Sequence, residues 1–206
     1  MRVIGDGQLI IVGGHCRGVG KTTVIEHLLR RSPHEAWVAV KISAHRHTPG
    51  PAGRLLVEED DGRRPDRQTG RYLAAGARRA WLCHAADAVM PMAAQFVAGL
   101  RASGMNVIVE SNRLVQHAGA TTAIFVLSPP LEDWKPSSAA LVAAADAFVI
   151  GPCAQRGTDH WPVADGHIDG RPLFTLTASG PLDAWYHTRH TPRPPASQST
   201  ATPALV

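Results

Sequence analysis

Residues 10 to 29 read IIVGGHCRGVGKTTVIEHLL. An apolar run ends in two glycines, a glycine-rich turn follows, and apolar residues then return at helical spacing. A short apolar run that ends in glycine is typical of a strand buried on both faces of a parallel sheet. The spacing predicts a helix over 22–31 that ends at Ser32 and Pro33. Its apolar face consists of Val24, Ile25, Leu28 and Leu29.

The turn matches most of the phosphate-loop motif G-x-x-x-x-G-K-[ST]. Gly20, Lys21 and Thr22 fit the second half of the motif, whereas His15 occupies the position of the first glycine and Gly14 lies one residue earlier. Such a loop directs backbone N–H groups at a phosphate, while the lysine neutralises the β and γ oxygens and the hydroxyl binds Mg²⁺. The alternative is a plain strand-to-helix turn with a solvated lysine.

We therefore predict that this loop binds Mg²⁺ with GTP or ATP. The predicted nucleotide-binding residues are Gly14, His15, Cys16, Arg17, Gly18, Val19, Gly20, Lys21, Thr22 and Thr23.

The rest of the chain alternates strand-like and helix-like segments. Strands are predicted at 36–43, 80–82, 106–111, 122–128, 147–151 and 172–177, and helices at 68–79, 92–102 and 137–145. This alternation predicts an α/β fold, a three-layer P-loop NTPase with a mainly parallel central sheet. We expect one nucleotide-binding domain over 1–187, with a long surface loop at 44–66 that is rich in proline, glycine and charge. The proline- and serine-rich residues 188–206 are expected to form a disordered tail.

Composition limits the function classes. The chain has 206 residues, which is enough for one well-buried core. Its net charge of +4 suits a phosphate-bearing small molecule as well as nucleic acid, and no basic–aromatic platform is present, so we expect no nucleic-acid partner. Three cysteines without CxxC spacing favour a reducing cytoplasm, and no run approaches the ~20 apolar residues of a membrane span. We expect a cytoplasmic protein without a membrane partner.

Two acidic residues are candidates for the metal site. Glu110 closes the strand predicted at 106–111, and the carboxyl ends of parallel strands form the edge at which such sheets bind ligands. We predict that Glu110 holds Mg²⁺ or orients an attacking water, and that Lys21 is catalytic because it stabilises charge on the transferred phosphoryl group. Capping of the next helix is the alternative role of Glu110. Asp66 either lies near the metal or, as we favour, caps a helix that begins at Arg67.

Four further residues are candidates for contacts with a second substrate or with the base. Lys41 ends a predicted strand at the same sheet edge and is a candidate anion contact. His45 and His47 face the same way in an extended segment and can then grip a metal or a phosphate; two solvated histidines are the favoured alternative. Lys135 follows the strand predicted at 122–128 and can stack on a purine.

The order of these features resembles a known family. The loop VGGHCRGVGKTT is followed by the strand VAVKIS, by the His45-Arg46-His47 segment, by DRQTGRYLAAGA at 66–77 and by the strand VIVES with Glu110. Over about residues 8–112 this order is similar to that of the molybdopterin-guanine dinucleotide biosynthesis protein B (MobB-like) family. The resemblance implies a P-loop fold, a nucleotide with Mg²⁺ and an accessory role in cofactor biosynthesis. Ser111 follows Glu110 where that family usually has glycine.

The sequence leaves the activity open between three possibilities. The favoured one is an NTP hydrolase (GTPase or ATPase) or phosphoryl transferase. The second is an ATP-dependent small-molecule kinase or ligase of the dethiobiotin synthetase type, with Lys41, His45 and His47 on the second substrate. The third is a non-enzymatic adaptor for a protein partner, in which nucleotide orders the segment at 44–66. A homodimer also remains open, although Cys16 stands five residues before Lys21, where one group of P-loop proteins has a lysine that activates the partner subunit in its dimeric members.

Overall fold

A computed structural model describes residues 7–44, 54–128, 135–151, 166–176 and 180–190 of the chain. Within these ranges nine strands form one sheet. The strands are β1 Leu9–Gly14, β2 Trp37–Ser43, β3 Leu56–Glu59, β4 Arg79–His84, β5 Asn106–Glu110, β6 Thr122–Leu127, β7 Ala147–Ile150, β8 Gly166–Ile168 and β9 Arg171–Thr175. The helices are α1 Lys21–Arg31, α2 Gln68–Ala74, α3 Met90–Ala102, α4 Ala139–Ala144 and α5 Pro181–His190, with 3₁₀ turns at Asp87–Val89, Leu114–Gln116 and Pro136–Ser138.

The sheet places β1 in its middle. The strand order is β3-β4-β2-β5-β1-β6-β7-β9-β8, and all neighbouring strands run parallel except β3 with β4 and β8 with β9. β1 lies between β5 and β6. On one side of β1 the sheet continues through β5, β2 and β4, and on the other side through β6, β7 and β9, so the strand order reverses direction at β1. In open α/β sheets ligands bind at such a point, outside the carboxyl ends of the strands.

Both faces of the sheet are covered by helices. Leu9 and Ile11 of β1 belong to a core cluster that also contains residues of α3 and α4, while Ile10 and Val12 belong to a second cluster with residues of α1, α2 and α5. All four β1 side chains are fully buried. This continuous burial explains why β1 is an unbroken apolar run rather than an alternating one. The predicted three-layer architecture with a mainly parallel sheet is confirmed.

Two element predictions inside the domain were wrong. The segment at 44–66 is not loop throughout, because β3 pairs antiparallel with the edge of β4. The helix predicted at 68–79 ends at Ala74. By Arg78 the chain has reached the sheet, because the backbone N–H of Arg78 donates to the carbonyl of Trp37 in β2 (2.8 Å).

The predicted tail also begins too early. α5 runs to His190, three residues into the segment 188–206. It is fastened to α1 because the Asp183 carboxylate pairs with His27 (2.6 Å) and with Arg31 (3.1 Å). Residues 191–206 lie outside the described residues. In the described part of the chain, no helix combines the length and the apolar character needed to cross a membrane.

Candidate functional site

The loop between β1 and α1 is built around left-handed glycines. Gly18 has φ +74° and Gly20 has φ +102°, a region of backbone conformation that favours glycine. Gly20 is the N-cap of α1, and no side chain caps the first turn of that helix. The N-terminus of α1 therefore offers its first N–H groups and its positive dipole end to a ligand.

Asn112 fixes the start of this loop. Its Oδ1 accepts a hydrogen bond from the Gly14 N–H (2.8 Å), and its Nδ2 donates to the Gly14 carbonyl (2.9 Å) and to Ser138 Oγ (3.0 Å). One side chain thus ties the end of β1 to the segment after β5 and to the turn before α4. Asn112 was not among the predicted site residues, because its role depends on the parallel register of β1 and β5.

The polar side chains of the loop meet Glu110. Lys21 Nζ donates to the carbonyl of Cys16 (2.8 Å), which holds the ammonium group over the loop. Thr22 Oγ1 donates to Glu110 Oε2 (2.9 Å) and accepts a hydrogen bond from Gln68 Nε2 (3.1 Å). Residues from β1–α1, β5 and α2 therefore converge on one point at the carboxyl edge of the sheet.

Glu110 is a buried carboxylate with three polar partners. Besides Thr22, it accepts hydrogen bonds from Lys41 Nζ (2.6 Å) and from the hydroxyl of the fully buried Tyr72. Lys41 and Glu110 face each other because they are register partners on β2 and β5. Burial alone would raise the pKa of Glu110, but the charge and hydrogen bond of Lys41, the Tyr72 hydroxyl and the charge of Lys21 together lower it below its ordinary value.

A cavity of about 810 Å³ opens above these residues. Its cationic lining residues are Arg17, Lys21, Lys41, Arg113 and Lys135, and its acidic ones are Asp87 and Glu110. Burial lowers the pKa of Lys21, an effect that Glu110 opposes and that the charges of Lys135 and Lys41 increase. Burial also lowers the pKa of Lys135, and the charge of Arg17 adds to this. Several cations that lie close together and are partly buried repel one another, and an anionic ligand that binds among them would relieve this repulsion.

The fold has a counterpart among solved structures. The chain is similar to LpxK from Aquifex aeolicus, in a crystal structure titled as an "apo" form in complex with ATP, with a TM-score of 0.51 and 16% identity. The match covers 82% of this chain and 53% of LpxK, so the chain spans about half the length of that protein. The fold is that of a P-loop NTPase. No family model and no curated protein matches the chain.

The P-loop residues predicted from the motif do not all face the cavity. Arg17, Gly18 and Lys21 line it, together with Lys41 and Lys135 from the other elements. The remaining predicted loop residues, Gly14, His15, Cys16, Val19, Gly20, Thr22 and Thr23, are outside this lining set.

Two of these residues support the loop by packing. The side chains of His15 and Val19 are buried, and Val19 belongs to the core cluster under α1. The His15 carbonyl accepts a hydrogen bond from the Lys135 N–H (3.1 Å), which ties the loop to the segment after β6.

One predicted site residue lies away from this cluster, and two others are not among the described residues. Asp66 is exposed in the turn before α2 and does not line the cavity. It does not cap α2 either, because that helix begins at Gln68 with Arg67 as its N-cap and has no side-chain cap bond. His45 and His47 lie outside the described residues.

The donor set at the end of β5 suits Mg²⁺. Thr22 Oγ1 and Glu110 Oε2 are hard oxygen donors 2.9 Å apart, and Mg²⁺ in nucleotide sites takes one or two protein oxygens and completes its coordination with phosphates and water. Among the residues that the structure describes, no three His, Cys, Asp or Glu side chains form a self-sufficient metal cluster. A metal here would therefore depend on ligand oxygens in addition to the protein.

Proposed function

We propose that the protein binds a nucleoside triphosphate with Mg²⁺ in this cavity and cleaves the bond to its γ-phosphate. The observation that supports this most directly is the convergence of the Lys21 ammonium, the Thr22 hydroxyl and the Glu110 carboxylate beside the uncapped N-terminus of α1. Each group matches one need of a polyphosphate: a cation, a metal ligand and backbone N–H donors.

The roles of the residues follow from their positions. Lys21 leaves the Cys16 carbonyl and neutralises the β and γ oxygens, and the first turn of α1 donates to the β-phosphate. Thr22 and Glu110 would hold Mg²⁺, which spreads the negative charge of the phosphates when it is bound. Because the pKa of Glu110 is lowered, its carboxylate is a weak base, so we assign it to the metal or to the positioning of the nucleophile rather than to proton abstraction.

The bond changes are those of phosphoryl transfer. An oxygen of water or of an acceptor forms a bond to the γ-phosphorus while the bond from that phosphorus to the β–γ bridging oxygen breaks. The electron pair leaves with the nucleoside diphosphate, and the proton of the attacking oxygen passes to solvent. Lys21 acts by stabilising charge on the oxygens in this transition state.

Three finer assignments concern the nucleotide, the biological role and Lys135. ATP is the nucleotide to test first, since it is the nucleotide in the LpxK structure, and GTP is the alternative that the phosphate-loop motif leaves open. An accessory role in cofactor biosynthesis rests only on the MobB-like order of motifs over about residues 8–112. Lys135 lines the cavity and is proposed to contact the purine.

A ligand-dependent thermal shift tests binding. ATP, GTP and their diphosphates are each added with and without Mg²⁺ to the wild type, Lys21→Ala and Thr22→Val. A bound nucleotide at a hundredfold excess over its dissociation constant stabilises the protein by ~2.7 kcal/mol. Lys21→Ala is expected to lose most of this, and Thr22→Val only the part that requires Mg²⁺.

The exposed Arg63→Gln, which also removes one positive charge, controls for net charge. An equal response of the wild type and Lys21→Ala to every nucleotide would contradict the assignment. Release of phosphate, measured in parallel, separates the enzyme from a nucleotide-switched adaptor: binding without turnover supports the adaptor.

A further inference from the structure

Beyond the phosphate loop, the cavity is lined by residues at the carboxyl end of β2, in the 3₁₀ turn that follows β4 and in the segment after β5. In the sheet order β2 and β4 lie past β5, on the side of β1 away from β6. We call this part of the cavity the acceptor arm. Its lining residues are Ser43, Ala44, Asp87, Ser111 and Arg113. A triphosphate bound at the end of β1 leaves this arm to a second ligand.

Arg113 is held in the wall of the acceptor arm. One terminal nitrogen of its guanidinium donates to the carbonyl of Ala85 (3.2 Å), and the other pairs with the Asp87 carboxylate. The Ser111 hydroxyl accepts hydrogen bonds from the backbone N–H groups of Arg113 and Leu114 (3.2 Å each), which fixes the backbone from which the side chain extends. Only 19% of the Arg113 side chain is exposed. A guanidinium held at two points loses little further rotamer freedom when it binds an oxyanion.

The charge on Arg113 is weakly compensated. Asp87 is 83% exposed, so solvent screens its pairing with Arg113. Of the other cations that line the cavity, Lys41 pairs with Glu110 and Lys21 donates to the Cys16 carbonyl, while Arg17 belongs to the phosphate loop and Lys135 to the segment after β6. An anion that enters the acceptor arm therefore meets a planar cationic group and does not have to break a buried ion pair.

We propose that Arg113 binds the carboxylate or phosphate of a second, small-molecule ligand that lies in the acceptor arm beside the terminal phosphate of the nucleotide. This inference rests on the proposed function, because the nucleotide defines which part of the cavity remains for the second ligand. It makes Arg113 a specificity-determining residue: the fork of the guanidinium matches the two oxygens of a carboxylate or phosphate.

Anion titration into the nucleotide-saturated protein tests this proposal. The dissociation constant of Mg·AMP-PNP is measured first by calorimetry for the wild type and each variant. Inorganic phosphate and acetate are then titrated separately into the saturated protein at constant ionic strength, so that the phosphate loop is already filled. The two anions distinguish a phosphate-bearing ligand from a carboxylate-bearing one.

Arg113→Gln is expected to weaken binding of the preferred anion at least tenfold, because a hydrogen bond to a charged group contributes about 1.5–3 kcal/mol. Its nucleotide affinity should stay within about twofold of the wild type. Arg63→Gln is the matched control, since Arg63 also pairs with an aspartate, is 87% exposed and does not line the cavity. This control should change neither affinity.

Asp87→Asn is expected to strengthen anion binding, which a variant that merely damages the fold would not do. It removes the carboxylate that competes for Arg113, so the anion should bind several-fold more tightly. Anion binding that is absent in the wild type, or equal in the wild type and Arg113→Gln, would overturn the proposal while leaving nucleotide binding intact. Failure of the wild type to bind Mg·nucleotide at all would overturn the proposed function and this inference with it.

Discussion

Asn106 and Asn112, one at each end of β5, allow the effect of a variant on nucleotide binding by the phosphate loop to be separated from its effect on protein stability. Asn106 stands at the amino end of β5 and its Oδ1 accepts a hydrogen bond from the Gln8 N–H (3.0 Å). Asn112 follows the carboxyl end of β5, and its Oδ1 accepts one from the Gly14 N–H (2.8 Å). The same contact thus recurs at both ends of the β1–β5 pair, but only Asn112 touches the loop.

The expected cost of each alanine variant follows from the bonds it loses. Asn112→Ala removes three hydrogen bonds, and each contributes about 0.5–1.5 kcal/mol net. Ser138 Oγ still donates to the Gly14 carbonyl (3.3 Å), so we expect a loss of about 2 kcal/mol in the free energy of unfolding. Asn106→Ala removes the bond from Gln8 and one to the Glu35 carboxylate (3.2 Å), which also gives about 2 kcal/mol.

Nucleotide affinity should separate the two variants. Urea unfolding at unchanged m-value measures the loss of stability, and calorimetric titration with Mg·ATP measures binding. Asn112→Ala is expected to weaken binding at least fivefold, about 1 kcal/mol, because the Gly14 peptide no longer has a fixed orientation. Asn106→Ala should bind as the wild type does. Equal affinities in the two variants would refute the positioning role of Asn112.

Three further variants probe the loop and its surroundings. Tyr72→Phe removes a hydrogen bond to Glu110 and should cost about 1.5–3 kcal/mol in urea unfolding. The lowered pKa of Glu110 gives stability that is present above its unfolded value near 4.5 and is lost as the pH falls from that value through the folded one. Without the Tyr72 hydroxyl the folded pKa lies closer to 4.5, so Tyr72→Phe should lose less stability on acidification than the wild type does; an equal acid-dependent loss in the two proteins would contradict this. Gly151→Ala places a Cβ 1.9 Å from the Val19 carbonyl, so its melting temperature should fall by an amount that reflects about 1–3 kcal/mol. A Cβ at Gly18 meets nothing within 4 Å, so Gly18→Ala should show only the backbone cost of about 1–2 kcal/mol; equal melting temperatures for Gly151→Ala and the wild type would contradict the predicted clash.

The sequence predicted the elements that depend on local pattern. The buried strand β1, the loop and the helix α1 follow from an apolar run, glycine spacing and 3.6-residue periodicity, and all three are found close to their expected bounds. Glu110 was also placed correctly at the carboxyl end of its strand.

The contacts that define the site could not be predicted from local pattern. The pairing of Lys41 with Glu110 depends on the register between β2 and β5, and residues of adjacent parallel strands have no fixed separation in sequence. Tyr72 has the appearance of an ordinary helix core residue, and only the packing of α2 on the sheet brings its hydroxyl to Glu110. β3 was missed because it is short and three of its four residues are exposed. Its sequence therefore lacks the alternation of apolar and polar residues that predicts a strand.

The outer strand β3 also has a consequence for association. Glu58 and Glu59 are exposed at this rim of the sheet, and Glu59 pairs with Arg79 of the neighbouring strand (2.5 Å). Two copies that joined their β3 rims would bring four glutamates together, and charged residues on a short outer strand are a common protection against such joining. At high concentration these charged side chains should oppose the growth of copies of the chain into a shared, extended sheet through β3.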